Sequence, residues 1–211
     1  MKNSNLKKKL IKLYKLTIGK INNKRIKNKN ISIICNNCWG GIFYRNNNIP
    51  YLSPTVGLFF MADDYIKFIY NLKKYIDTDL SFIKVEESKY KDYLKKLNYN
   101  SPIGKIDDVE IMFLHYSSEA EAKEKWDRRK QRINWDNLIY KFSDQNMCTY
   151  DALEKFQQFK ANNKICFTTR KYDGLDTIQI KKYENAECVG DDIKSYKKYF
   201  NFYDYINKEL K

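Results

Sequence analysis

Short apolar runs, typical of buried strands, alternate along this chain with longer amphipathic runs, typical of helices. The extended runs after residue 30 are Ile31–Ile34, Leu80–Val85, Val109–Leu114, Leu138–Phe142 and Lys164–Thr168. The helical runs are Ala62–Ile76, Glu86–Leu97, Ser118–Arg132, Thr149–Phe159 and Asp191–Asn207. Strands that alternate with helices favour an α/β fold with right-handed crossover connections. We therefore predict a mixed, partly parallel sheet flanked by helices.

Length and composition favour one folded body with an appended segment. A chain of 211 residues with 43% hydrophobic and 16% aromatic residues has enough apolar side chains for a core, which excludes a disordered protein. We predict a basic N-terminal helix and linker over residues 1–30, and a single α/β domain over residues 31–211.

The positive charge of the chain is concentrated near its N-terminus. The net charge is +14, but residues 1–30 hold ten lysines, one arginine and no acidic residue, so residues 31–211 hold 29 basic and 26 acidic residues. A nearly balanced body is unlike a nucleic-acid-binding domain, which needs a basic surface to contact phosphates. No nucleic acid is therefore expected among the partners.

Residues 6–21 have the pattern of a basic amphipathic helix, with lysines on the faces beside an apolar stripe. The stripe consists of Leu6, Leu10, Leu13, Tyr14, Ile18 and Ile21. Two interpretations stay open, namely a helix that lies on an anionic membrane surface and an ordinary surface helix packed on the domain. The polar residues 22–30 predict a linker.

The five cysteines are odd in number and widely spaced, which is unlike a disulfide framework and favours a reducing compartment. No apolar run approaches the roughly 20 residues of a membrane span, and the N-terminus lacks the apolar region of a secretory signal. We expect a cytoplasmic protein, located at the inner membrane surface if the basic helix binds lipid.

The segment Cys35–Gly41 follows the first predicted strand and combines residue types suited to a binding turn. Paired asparagines supply amide donors and acceptors, and paired glycines allow close backbone approach or positive φ. Substrate contacts are predicted for Asn36, Asn37, Trp39, Gly40 and Gly41.

Cys35 and Cys38 form a C-x-x-C pair, which permits several roles. Structural zinc needs four ligands, and the chain has no second closely spaced Cys or His pair, so no metal site is predicted. The pair could be redox-active; Cys38 could be an acyl nucleophile activated by His115, or an inert buried thiol. Neither a Walker loop nor a dinucleotide fingerprint is present, so no cofactor is expected.

Polar residues also follow other predicted strands. Because ligands of open α/β sheets bind beyond the carboxyl ends of the strands, the loops after residues 34, 114, 142 and 167 are expected to share one cleft. His115, the only histidine, is suited to accept a proton near neutral pH and is the candidate general base. The alternative is a structural hydrogen-bonding role. Tyr116 beside it is a predicted substrate contact.

Arg129 and Arg132 share one face of a predicted helix with Lys125. A guanidinium binds an oxyanion through two parallel hydrogen bonds, so this face predicts a clamp for phosphate or diphosphate, with a solvated charged face as the alternative. Ser53 and Thr55, on a proline-bounded turn, either contact a sugar or phosphate or cap a neighbouring element.

Several of these segments together resemble a bacterial family of unknown function that is commonly labelled exopolysaccharide or capsular polysaccharide biosynthesis protein. The segments are Ile33–Gly41, Pro50–Gly57, Pro102–Gly104, Phe113–Tyr116 and Lys125–Trp135. The resemblance covers residues 31–180 and departs from the family pattern at Cys35, where serine is more usual. It implies an α/β fold and a setting among enzymes that build surface glycans, without a specific reaction.

The resemblance and the residues together favour a transferase of surface-polysaccharide assembly that acts on a phosphate-bearing sugar donor or a lipid-linked glycan. Arg129 and Arg132 would hold oxyanions, and His115 would deprotonate the acceptor hydroxyl. Sugar contacts would come from Asn36, Asn37, Trp39 and Ser53. The alternatives are a non-catalytic scaffold that binds a glycan or nucleotide sugar, and an acyltransferase that uses Cys38.

Overall fold

The structure, a computed structural model, describes residues 13–14 and 16–209. Strands β1 to β7 span Ser32–Cys35, Ser81–Ile83, Ile103–Ile106, Val109–Met112, Leu138–Ser143, Lys164–Thr168 and Ile178–Gln179. Helix α1 includes residues 16–24. Helices α2 to α9 span Trp39–Asn46, Ala62–Tyr70, Leu72–Asp77, Lys91–Lys96, Glu119–Lys130, Tyr150–Gln158, Asp192–Ser195 and Phe202–Glu209.

The main sheet is parallel, with strand order β1-β5-β6-β7. Ile34 pairs with Tyr140 of β5, and Phe142 of β5 pairs with Cys166 of β6. The carboxyl ends of β1 and β5 therefore lie side by side at one edge of the sheet. This arrangement confirms the predicted α/β fold with a partly parallel sheet.

Both faces of the main sheet are covered, because successive side chains of a strand point to opposite faces. Ile34 and Phe142 belong to one apolar cluster, which includes Trp126 of α6. Ile33 and Phe167 belong to another, which includes side chains of α2 and α9. Continuous apolar runs such as Ile31–Ile34 reflect this two-sided burial.

A second, antiparallel sheet has the order β2-β3-β4. The expectation of a single sheet was wrong, because two of the predicted strands, Leu80–Val85 and Val109–Leu114, contribute β2 and β4 to this second sheet, on either side of β3. The hairpin between β3 and β4 turns at Asp107, whose φ of 54° is left-handed. β4 also pairs with Phe59 through an isolated bridge, which ties the loop before α3 to this sheet.

Several predicted helices are interrupted in the structure. The run Ala62–Ile76 divides at Asn71, whose φ and ψ of −129° and 39° are not helical. The run Glu86–Leu97 contains only α5 and a 3₁₀ turn at Val85–Glu87, and the run Asp191–Asn207 divides into α8, a 3₁₀ turn and α9. Periodicity identified these regions, whereas the breaks depend on contacts that periodicity does not encode.

The predicted binding turn is largely a helix, since α2 begins at Trp39 and includes both glycines. A Cβ on Gly40 would lie 2.9 Å from the Cys35 sulfur, and a Cβ on Gly41 would lie 2.9 Å from Cγ1 of Val56. Close approach of α2 to its neighbours, rather than positive φ, therefore requires glycine at both positions.

The predicted linker over residues 22–30 is partly helical and attached to the domain. The Nδ2 atoms of Asn22 and Asn23 donate hydrogen bonds to the carbonyl oxygens of Asn46 and Asn47, at 3.2 and 3.0 Å. Ile26 is buried in the cluster around α2 and α9. Residues 6–12 and Lys15 of the predicted basic helix lie outside the described residues. None of the described helices has the length and apolar character that crossing a bilayer requires.

Candidate functional site

A cavity of about 420 Å³ opens between α2, the loop before α3, the segment after β4 and α6. We call it the cationic cavity. It is lined by Cys38, Gly41, Ile42, Arg45, Tyr51, Val56, Gly57, His115, Tyr116, Lys125 and Arg129. Three of these side chains are Lys or Arg, and no described lining residue is Asp or Glu.

One wall of the cationic cavity is a single face of α2 and its N-cap. Cys38, Gly41, Ile42 and Arg45 recur at helical spacing, so their side chains project to the same side. Because Gly41 lacks a side chain, α2 can approach Val56 on the opposite wall. Arg45 is exposed and has no ion pair among the described residues.

His115 is positioned by a backbone contact with the opposite loop. Its N–H donates to the carbonyl oxygen of Gly57 at 3.0 Å. Gly57 has a φ of 76°, a left-handed conformation that favours glycine. A Cβ there would also lie 3.3 Å from the ring of Tyr116. His115 is exposed and belongs to the lining, so its imidazole lies at the rim of the cavity, next to Gly57.

Arg129 extends from α6 into the cavity and is only 7% exposed. Its Nη1 atom donates to the hydroxyl of Tyr116 at 2.5 Å and to the carbonyl oxygen of Val56 at 3.2 Å. The Tyr116 hydroxyl in turn donates to the same carbonyl. The guanidinium carbon lies 5.0 Å from the ring centroid of Tyr51, a cation–π contact. These contacts hold the guanidinium in one orientation.

No carboxylate balances the charge of Arg129 among the described residues. Lys125 differs, because it forms an ion pair with Glu121 one turn earlier on α6. Hydrogen bonds from Lys125 and Ser117 lower the pKa of Glu121 to about 2, so this carboxylate is ionised near neutral pH. A buried guanidinium and Arg45, both in the lining and neither with a carboxylate partner among the described residues, favour an anion in the cavity.

A second cavity of about 600 Å³ lies at the carboxyl ends of β1 and β5. We call it the strand-end cavity. Its amide-bearing residues are Asn37, Gln145 and Asn146, and its apolar and aromatic lining includes Phe59, Tyr93, Leu97, Tyr99 and Leu114. Cys38 lines both cavities, so the two spaces meet at this residue.

The floor of the strand-end cavity is a buried polar network around Asn37. Lys141 and Asp192 form an ion pair in which both side chains are almost fully buried. The Asn37 amide donates to Asp192 at 2.8 Å and to Gln145 at 2.6 Å, while its oxygen accepts from Lys141 at 3.1 Å. This network fixes the loop after β1 against the loop after β5 and against α8.

Comparison of sequences identifies the family. Residues 9–209 match a domain of unknown function, DUF1919. The chain belongs to the DUF1919 family. It is 31% identical over 188 residues to an uncharacterized protein of Haemophilus influenzae, an alignment that covers 87% of this chain and 85% of the relative. The match extends across α2, β4 and α6, so the elements that form the cationic cavity belong to the DUF1919 region.

The structure of this DUF1919 chain brings together five of the residues that the sequence analysis selected. Cys38, Gly41, His115, Tyr116 and Arg129 line the cationic cavity. They come from three separated parts of the chain. Their predicted catalytic and binding roles stay predictions, but their proximity meets the geometric condition for a shared site.

The other selected residues lie elsewhere, and Asn37 alone among them lines the strand-end cavity. Trp39 is buried and packs on Phe43 and Phe202, with ring centroids 5.6 and 4.8 Å away. Arg132 is exposed and lines neither cavity. The remaining residues, Asn36, Gly40, Ser53 and Thr55, are buried outside the lining of both cavities.

Ser53 and Thr55 have clear structural partners. The Thr55 hydroxyl accepts from the N–H of Cys35 at 3.1 Å, and Ser53 Oγ lies 2.9 Å from Thr55 Oγ1. Asn36 donates to the carbonyl oxygen of Ser143 at 2.9 Å. The described contacts therefore use these groups to fasten loops to β1 and β5.

The sequence analysis did not select Arg45, Tyr51 or Gly57, and it assigned no substrate role to Lys125. The signal for Arg45 is its spacing of four residues from Gly41, which places both on one helical face. That signal becomes usable only if the glycine pair is interpreted as part of a helix. Tyr51 and Gly57 lie in irregular chain, where spacing carries no such information.

Proposed function

We propose that this DUF1919 protein is a transferase that binds a phosphate-bearing sugar donor in the cationic cavity, within a pathway of surface-polysaccharide assembly. The observation that carries the proposal is the buried guanidinium of Arg129, which faces the cavity without a carboxylate partner among the described residues. An anionic ligand would supply the missing counter-charge. The surface-glycan setting is supported by the resemblance of the sequence motifs.

Phosphate fits the cationic cavity better than a neutral ligand does. Arg45 and Arg129 approach from α2 and α6, so an oxyanion between them would receive charge-assisted hydrogen bonds from two sides. A volume of about 420 Å³ lies within the usual range of small-molecule sites. Tyr51, which is half-buried, offers the part of its ring that Arg129 leaves open for the attached sugar or base.

Transfer needs a second substrate, and the strand-end cavity provides a place for it. The two cavities meet at Cys38, and His115 is at the rim of the first. An acceptor hydroxyl entering there would lie between the imidazole and a donor held by the arginines. His115 would then accept the proton of that hydroxyl as the acceptor oxygen attacks the sugar carbon and the phosphate leaves.

The binding step is tested by isothermal titration of the full chain with UDP-glucose, UDP-N-acetylglucosamine and pyrophosphate. Arg45→Gln should weaken binding about 10-fold or more, because a hydrogen bond to a charged group is worth about 1.5–3 kcal/mol. Arg128→Gln is the matched control, since Arg128 is exposed, pairs with Glu124 and lines neither cavity. Equal effects of the two substitutions, or no binding of any probe, would refute the phosphate site.

The catalytic step is tested by release of UDP from whichever UDP-sugar binds, with water or an added glycan as acceptor. His115→Ala should reduce turnover about 10²-fold or more while leaving Kd nearly unchanged. A non-catalytic scaffold, which the lack of carboxylates in the described lining of the cationic cavity also fits, predicts tight binding without UDP release. Unchanged turnover in His115→Ala would remove the imidazole from the mechanism.

A further inference from the structure

We infer that helix α1 attaches this protein to the surface of membranes that contain anionic lipids. The helix bears an apolar face that the described part of the protein leaves uncovered, and it lies in the most basic part of the chain. The inference concerns attachment rather than chemistry, so it goes beyond the proposed transferase function.

The contacts of α1 with the domain come from its polar and small residues. Gly19 approaches the turn after α2, where an added Cβ would lie 3.4 Å from Cβ of Asn48. Asn22 and Asn23 donate to backbone carbonyls of the same turn. Ile26, just beyond the helix, inserts into the core. The attachment of the helix therefore does not use its apolar stripe.

The apolar stripe faces away from this attachment. At 100° per residue, Tyr14, Ile18 and Ile21 share one face; Gly19 and Asn23 lie roughly 150° from its centre and Asn22 roughly 70° from it. Tyr14 is 67% exposed and Ile21 55%, whereas Ile18, which is next to Asn22 on the helix surface, is 37% exposed. A helix packed on the domain in the ordinary way would bury these side chains, because burial of the apolar face is what stabilises such a helix. The observed orientation favours the membrane interpretation.

Charge identifies the partner of this face as an anionic bilayer rather than a second copy of the chain. Residues 1–30 carry ten lysines, one arginine and no acidic residue. Pairing two such helices would bring like charges together without compensating carboxylates from this segment. An anionic lipid surface attracts the lysines and also accepts the apolar side chains at the depth of the headgroups.

The position of α1 relates the membrane to the cationic cavity. The turn that holds α1 directly follows Arg45, whose side chain lines that cavity. A helix α1 bound to the bilayer would therefore hold Arg45 near the membrane surface, where a phosphate carried by a membrane lipid could reach it. This last step rests on the proposed function, whereas attachment itself does not.

Co-sedimentation with vesicles tests the attachment. The full chain should bind vesicles of phosphatidylcholine with 30% phosphatidylglycerol at least 10-fold more tightly than pure phosphatidylcholine, and 0.5 M NaCl should weaken this binding, as roughly expected for lysine-driven adsorption. The double variant Tyr14→Asp/Ile21→Asp should lose about 10-fold or more in partitioning. These side chains are 67% and 55% exposed, so the fold should be retained.

The control variant is Trp135→Asp/Tyr150→Asp, which removes two exposed apolar side chains and adds the same charge of −2 outside α1. It should bind vesicles like the unsubstituted chain.

Equal binding to neutral and anionic vesicles, or unchanged binding of the double variant in α1, would overturn the inference. Light scattering that shows a dimer dissociated by the double substitution would instead assign the face to a second copy. UDP-sugar binding should be unaffected by the double variant, which separates this result from a failure of the proposed function.

Discussion

At the scale of single residues, the environment of Cys38 bears on the chemistry of the whole site. Cys38 lines both cavities, and its Sγ atom donates to the carbonyl oxygen of Leu58 at 3.6 Å. Burial raises its pKa to about 11, and the negative charge of Asp192 acts in the same direction, opposed by Lys141. The thiol is therefore protonated near neutral pH, which weighs against Cys38 as a resting thiolate nucleophile.

This state of Cys38 predicts slow alkylation. With a pKa of about 11, the thiolate fraction, and hence the reaction rate with iodoacetamide, should rise about tenfold per pH unit between pH 7 and 10. Peptide mass spectrometry after timed quenching measures the rate at this position. The same chain unfolded in guanidinium chloride is the control, and its Cys38 should react much faster at pH 7.5. Rapid labelling of the folded protein that levels off below pH 8 would contradict the prediction and revive the acyl-transfer alternative.

At the scale of elements, α2 connects the parts of the molecule that matter for the proposed function. Its N-terminal end meets both cavities, one face forms a wall of the cationic cavity, and the turn at its C-terminal end holds α1. Its opposite face carries Trp39 and Phe43 into the core. The position of this short helix depends on the absence of side chains at Gly40 and Gly41.

Gly40→Ala should therefore destabilise the protein by about 1–3 kcal/mol, the usual cost of adding a methyl group to a tightly packed site. The new Cβ would lie 2.9 Å from the Cys35 sulfur, and this clash should outweigh the helix propensity of alanine, about 1 kcal/mol better than glycine. Urea unfolding gives the free energies of unfolding. Gly19→Ala is the control, because its Cβ meets ordinary contact distances, so stability should stay equal or increase. An unchanged free energy of unfolding for Gly40→Ala would contradict this prediction and show that α2 can move outward without loss of stability.

At the scale of the whole molecule, the ion pair of Lys141 and Asp192 joins the centre of the parallel sheet to the C-terminal segment. Lys141 lies on β5 and Asp192 begins α8, and the two side chains are 0% and 2% exposed. Asn37 adds the loop after β1 to the same network. The pair therefore holds in place three chain segments that are far apart in the sequence.

Asp192→Ala should lower the free energy of unfolding by about 3–5 kcal/mol, because it leaves the Lys141 charge buried without a partner. Lys141→Met/Asp192→Leu should recover much of this loss, since two apolar side chains remove the uncompensated charge. Denaturant unfolding measures both variants. Asp151→Ala, which breaks the exposed pair with Lys155, should change the free energy of unfolding far less, because water screens this pair. If Asp192→Ala and Asp151→Ala lowered the free energy of unfolding by equal amounts, the buried network would contribute little to stability.

Much of the local structure was predictable because it depends on neighbouring residues in the chain. β6 has the predicted bounds, Lys164–Thr168. The helices after Ser118 and Thr149 begin where these hydroxyls accept the N–H groups of Glu121 and Ala152, a capping pattern visible in the sequence. The mixed α/β class followed from the same periodicities.

The sequence by itself thus determined most of the helical and extended segments, though not α2, β3 or β7, and which residue types were available for acid–base and anion chemistry. The tertiary structure alone decided that β4 pairs in a separate antiparallel sheet and that Trp39 is buried in the core. It also decided that Arg45, His115 and Arg129 line one cavity. The physical reason is that periodicity arises from the local geometry of the backbone. Pairing of strands and the direction in which a polar side chain faces depend instead on packing between segments that are distant in the chain.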